Sequence, residues 1–127
     1  MEFQIWYKRN PTFREDPNLT VSQICEPQFV QVVTINDMVI SFDGRTLERL
    51  YQDFQGEFIP IDCINRIKNK NLNHTSMSIG DVIVAGEFYY QVSSVGFNMV
   101  KDDRIYNIQD LSQLLKQAMP NSDNHDI

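Results

Sequence analysis

The sequence predicts an α+β fold, a mostly antiparallel sheet of four to six strands with two to three helices packed on it. Three observations carry this expectation. Residues 75–97, TSMSIGDVIVAGEFYYQVSSVGF, hold two β-prone runs parted by Ala85-Gly86-Glu87, the signature of a hairpin. The first residues alternate apolar and polar side chains with a period of two. Near Leu47 the spacing changes to the threes and fours of an amphipathic helix. A chain of 127 residues with a 42% hydrophobic share suits one domain with its own core. That domain is expected over residues 1–120, with 121–127 a polar tail that frays.

Taken in order, residues 2–8 put Phe3, Ile5 and Tyr7 on one face of an extended segment and Gln4, Trp6 and Lys8 on the other, a half-buried strand. Pro11 and Pro17, with charges between them, mark a loop. Residues 20–25 fit either a short strand or a helical turn, and Pro27 ends both. The β-branched run FVQVVTI, residues 29–35, predicts a strand well inside a sheet. MVISF, residues 38–42, is a short strand or a packed connection. Leu47, Leu50, Tyr51 and Phe54 predict a helix closed by Gly56 as a left-handed cap. After Pro60, Ile61, Ile64 and Ile67 fit a short helix from about Asp62 to Lys68 or an irregular loop. Beyond the hairpin, Asp102-Asp103 marks a turn and Arg104-Ile105-Tyr106 a further short strand. The last element is a helix capped by Asn107, with a stripe of Ile108, Leu111, Leu114, Leu115 and Ala118, stopped by Pro120.

Charge narrows the partners. The formal net charge is −6, and removing Asp123 and Asp126 of the tail leaves −4. Nucleic-acid binding rests on neutralising phosphates with lysine and arginine, so an acidic chain is disfavoured there and better suited to a protein partner, a basic one by charge. No run approaches the roughly 18 apolar residues of a membrane span, and the first residues lack a secretory pattern, so a cytoplasmic location without membrane contact is expected. Cys25 and Cys63 have the spacing of neither a zinc site nor a redox motif and are expected as reduced, mostly buried thiols. No cofactor and no metal is called for.

The chemistry-bearing candidates lie in the hairpin stretch. In Ser76-Met77-Ser78-Ile79, alternation would turn both hydroxyls to one side and the apolar side chains to the other. Gly80-Asp81 permits a turn few residues adopt, and the Asp81 carboxylate is placed to accept backbone N–H groups within it. Sharp approach into a buried strand explains these residues without a ligand. Catalysis finds little support: His74 is the one plausible general base, Ser76 and Ser78 beside it in sequence do not converge into a triad, and no nucleophile elbow or phosphate loop is present. Asp62, Asp81, Asp102 and Asp103 lack any pattern that fixes a metal geometry.

A second candidate set is a basic strip, Arg66, Lys68, Lys70 and His74, with Phe88, Tyr89, Tyr90 and Phe97 as stacking surfaces, analogous to small PUA-like barrels that bind RNA. Clustering of Arg66, Lys68, Lys70, Tyr89 and Tyr90 on one exposed face would favour that use; dispersal would favour protein binding. Trp6, Phe13 and Tyr106 are candidate interface anchors, with core placement as the alternative.

The run Ser76, Ser78, Gly80, Asp81, then Tyr90, then Gly96-Phe97, resembles the YodL-like domain, whose pattern is (S/T)-x-S-V-G-D-V-I followed by an aromatic strand closing on a G-F pair. The similarity covers about residues 29–97, including the helix around Leu47 that commonly precedes the pattern. Thr75 stands where an arginine is frequent, and Ile79 replaces valine. The resemblance implies a mobile-element setting of plasmids, phages and integrative elements, and no defined activity. Together these expectations describe a small acidic, non-catalytic protein-interaction module with an accessory or counter-defence role; the alternative is an RNA- or single-strand-binding module using the hairpin.

Overall fold

The computed structural model describes residues 1–36 and 41–104. Within them lie five strands and two helices: β1 (Glu2–Lys8), β2 (Phe29–Asn36), α1 (Gly44–Asp53), α2 (Ile61–Lys68), β3 (Val82–Ala85), β4 (Phe88–Ser93) and β5 (Gly96–Met99). The strands form one sheet in the order β2-β1-β3-β4-β5, with antiparallel neighbours throughout, so the predicted α+β class holds.

The period-two pattern of β1 does what it promised. Phe3, Ile5 and Tyr7 are fully buried on one face, while Gln4, Trp6 and Lys8 are half-buried on the other. Strand β1 lies between β2 and β3, and apolar residues cover both of its faces. On the Phe3 face, Leu47, Leu50, Phe54, Ile59, Ile67 and Met77 complete the main core together with Val33, Ile83 and Val92. On the opposite face Leu19, Val21 and Ile24 fold under Phe29, Val82 and Val84, with Trp6 and Tyr89 at the margin. Two-sided burial explains why β3 is apolar at every position: all four of its residues are buried.

The hairpin turns where expected. Ala85 pairs with Phe88, leaving Gly86-Glu87 as a two-residue turn with Gly86 at φ +63°, a left-handed conformation glycine adopts without strain. Asp43 caps α1, accepting from the N–H groups of Arg45 (2.9 Å) and Thr46 (3.3 Å). That helix ends at Asp53, and Gly56, at φ +51°, instead opens a 3-10 turn over Gly56–Phe58. The left-handed residue is therefore present, but a few positions beyond the helix it was expected to close. Residues 61–68 are helical, and Arg66 and Lys68 in the last turn suit the negative end of the helix dipole. The ambiguous stretch 20–25 resolves as a 3-10 turn over Val21–Gln23.

Two expectations are corrected. Residues 76–79 are not extended strand, and each serine hydroxyl has its own backbone partner. Met77 is buried there and Ile79 half-buried against the same core. Cys25 is exposed and Cys63 half-buried, both as free thiols; Cys25 follows the Val21–Gln23 turn, where the chain leaves the core. Most of the possible strand at 38–42, the strand reaching Tyr106, the final helix and the tail lie outside the described residues. Among the described residues no helix is long and apolar enough to cross a membrane.

Candidate functional site

Asp81 is the most deeply committed polar residue of the motif. It is fully buried, and its carboxylate accepts three hydrogen-bond partners from different parts of the chain. The Lys8 N–H at the end of β1 donates to Oδ1 at 2.8 Å, the Ser78 N–H donates to Oδ2 at 2.7 Å, and His74 Nε2 lies 3.1 Å from Oδ2. Its backbone closes the turn as well: the Asp81 N–H donates to the Ser78 carbonyl, and Gly80 and Asp81 exchange backbone bonds with Val92 of β4 at 2.9 Å each. One side chain thereby ties the loop to β1 while its main chain ties it to β4.

Gly80 makes that approach possible. Its φ is +100°, and a Cβ there would sit 2.9 Å from the Arg14 carbonyl oxygen, closer than non-bonded atoms allow. Tyr7 roofs the arrangement. Its ring stacks on His74 with centroids 4.8 Å apart, and its hydroxyl donates to the Thr75 carbonyl at 2.8 Å. Placing the imidazole proton on Nε2 aims it at Asp81 and leaves Nδ1, which is buried without a hydrogen-bond partner among the described residues, as a lone pair.

Burial pushes the Asp81 carboxyl above the usual carboxylate range, while the bonds from His74, Lys8 and Ser78 pull it back down. Burial, then the Asp81 charge, drives the Tyr7 phenol well above its ordinary value. These are the marks of a group enclosed in the fold: Asp81 and Tyr7 have no exposed surface, and the His74 side chain has 8%. Ser76 stands apart, its Oγ accepting from the Gly56 N–H at 2.8 Å, and the Ser78 Oγ donates to the Ser76 carbonyl at 3.2 Å. The triad geometry is absent for a physical reason, since each serine is held by a neighbouring backbone group.

The remaining motif residues serve other contacts. Tyr90 tilts against Phe42 at 5.8 Å between centroids, and Phe97 meets the Tyr51 ring edge-on at 6.4 Å. Gly96 starts β5, and with Phe97, Tyr51 and Ile79 it lines a small groove of about 220 Å³. Ser76, Ser78, Gly80, Asp81, Tyr90, Gly96 and Phe97 therefore do not converge on one pocket.

The basic strip is corrected most strongly. Arg66, Lys68 and Lys70 are exposed on and just after α2, but His74 is turned inward to Asp81. Tyr89 and Tyr90 point to opposite faces of β4, one toward each core. Tyr89 lies under the Arg104 guanidinium, 5.3 Å from its centroid. Strand β4 is separated from β2, against which α2 packs, by β1 and β3. Phe88 is exposed on the hairpin and Phe97 half-buried at the β5 edge. The cations and the aromatics are thus dispersed. Of the interface anchors, Phe13 is exposed and Trp6 half-buried against the second core; Tyr106 lies outside the described residues.

A feature that motif reasoning missed lies along β2. Trp6, Glu26, Gln31, Val32, Val33, Thr34, Arg66, Asn69 and Lys70 line an open groove of about 580 Å³. Its sequence signals were weak: Gln31 and Thr34 interrupting the apolar run of β2, and two cations four residues apart. Comparison with known proteins returned no match to a family model, to a curated protein or to a solved structure.

Proposed function

We propose that the chain is a small acidic, non-catalytic protein-interaction module, with the mobile-element setting and the accessory or counter-defence role implied by its YodL-like resemblance. The observation that carries this reading is the inward use of the motif's polar groups. Asp81, Ser76, Ser78 and the Nε2 of His74 bond one another and nearby backbone, with only His74 Nδ1 left over among the described residues, so they support architecture rather than a reacting substrate. The dispersal of Arg66, Lys68 and Lys70 from Tyr89 and Tyr90 supports protein over nucleic acid, because single-strand binding needs cations and stacking rings along one path. Capture from a lysate with and without nuclease tests it. A protein partner that survives nuclease is expected; capture that disappears with nuclease and weakens steeply with salt overturns the reading in favour of nucleic acid.

A further inference from the structure

We propose that the outer edge of β2 accepts an extended segment of a partner protein bearing carboxylates at alternate positions, with Arg66 and Lys70 as their counter-charges. The proposal rests on the protein-interaction reading and specifies its partner. Among the described residues, strand β2 stands at one end of the sheet and is paired only with β1; its Phe29 N–H is taken by the Cys25 carbonyl, and no strand lies beside the rest of its outer edge. The groove beside it is lined from both faces of the sheet. Trp6, Gln31 and Thr34 belong to the face opposite the helices, whereas Arg66, Asn69 and Lys70 come from α2 and the residues after it on the helical side. Only a groove that runs over the strand's edge touches both.

An exposed strand edge offers backbone donors and acceptors at the repeat of another extended chain, the mode of strand addition. The other sheet edge, β5, is half as long, at four residues. Strand β2 also carries a bulge, where the register with β1 shifts between Ile5 and Trp6 and places Val32 as the extra residue. Bulges discourage indiscriminate edge pairing, so affinity here must come from side-chain chemistry as well as from the ladder.

That chemistry is cationic. Arg66 and Lys70 are exposed and make no ion pair among the described residues, and Glu26, the one acid lining the groove, is held by Arg9 at 3.1 Å. Arg66 lies in the last turn of α2 and Lys70 two residues beyond its end, and both line the groove. Alternate side chains of a strand fall on one face at a repeat of about 6.6 Å, so an added strand can present two carboxylates to the side from which the two cations come. The chain's net charge of −6 does not forbid this, because charges beyond about 8 Å are largely screened at physiological salt.

The test uses the whole chain, isotope-labelled, titrated with a peptide alternating valine and glutamate, about nine residues long so that it spans β2 at roughly 3.3 Å per residue. Amide shifts confined to β2 and the Trp6 indole are expected. A valine-lysine peptide of the same length should leave them unmoved, and Arg66→Glu with Lys70→Glu should weaken binding by at least about tenfold. No binding, equal binding of the lysine peptide, or shifts centred on β5 overturns the proposal. An oligothymidylate that moves the same amides would instead make the groove a nucleic-acid interface. A nuclease-resistant partner captured equally by wild type and the double variant overturns this inference alone and leaves the protein-interaction reading standing.

Discussion

The Asp81 turn and the β2 groove place charge in opposite ways. Asp81 is fully buried and surrounded by donors from β1, the preceding loop and His74, whereas Arg66 and Lys70 stand in water with no ion pair among the described residues. In the first arrangement the carboxylate is taken up by donors of the fold, and the one polar atom without a partner among the described residues, His74 Nδ1, is itself buried. In the second, both cations face the open groove. A sequence motif and a binding surface are therefore different places in this fold, and mutations should separate them.

The largest effect is expected at the turn. Asp81→Ala leaves two backbone donors and an imidazole buried without their acceptor, and should lower the unfolding free energy by about 3–5 kcal/mol in urea titrations. A loss below about 1 kcal/mol would show that the buried cluster holds little of the fold together. Gly80→Ala follows, because its Cβ meets the Arg14 carbonyl and its φ of +100° is unfavourable for a side chain; about 1–3 kcal/mol is expected by the same titration.

Acidity sharpens the comparison. Folding raises the Asp81 pKa, so its protonated form is favoured in the native state. The resulting stabilisation is full below the unfolded value of about 3.9 and is lost as pH rises through the folded value. The stability difference between wild type and Asp81→Asn should accordingly narrow as pH climbs out of the acid range, and a difference that widens contradicts the assignment. Tyr7→Phe removes one hydrogen bond to the Thr75 carbonyl and should lose about 1 kcal/mol. Smallest of all, Arg66→Glu with Lys70→Glu should change stability by no more than about 0.5 kcal/mol per site, by calorimetry, since both side chains are exposed.

Local patterns were legible in the sequence and long-range closures were not. The alternation of Phe3, Ile5 and Tyr7 and the Gly86-Glu87 turn depend on neighbours a few residues away, and each formed as its spacing implied. The Asp81 turn was legible as a turn, because Gly80-Asp81 demands one. Its partners were not, since Lys8 is 73 positions distant and only the closed sheet brings its N–H to the carboxylate. His74 illustrates the same limit: beside Arg66, Lys68 and Lys70 in sequence it resembled part of a basic strip, but the loop curls it back onto Asp81. Gly56 was recognised as left-handed, although the helix it was meant to close had already ended at Asp53. Cys25 was expected inside by residue type, and a turn at Val21–Gln23 left it outside. The groove had no motif because it is made by strand order, which puts β2 at the sheet's end.

The most direct measurement places Asp81→Asn and the Arg66→Glu/Lys70→Glu variant side by side, recording thermal midpoint and affinity for the valine-glutamate peptide at a temperature where both are folded. The account predicts that Asp81→Asn lowers the midpoint and keeps the affinity, while the charge-reversed pair keeps the midpoint and loses the affinity. An Asp81→Asn protein of unchanged midpoint that no longer binds would contradict it, because the carboxylate would then belong to the recognition surface and not to the frame.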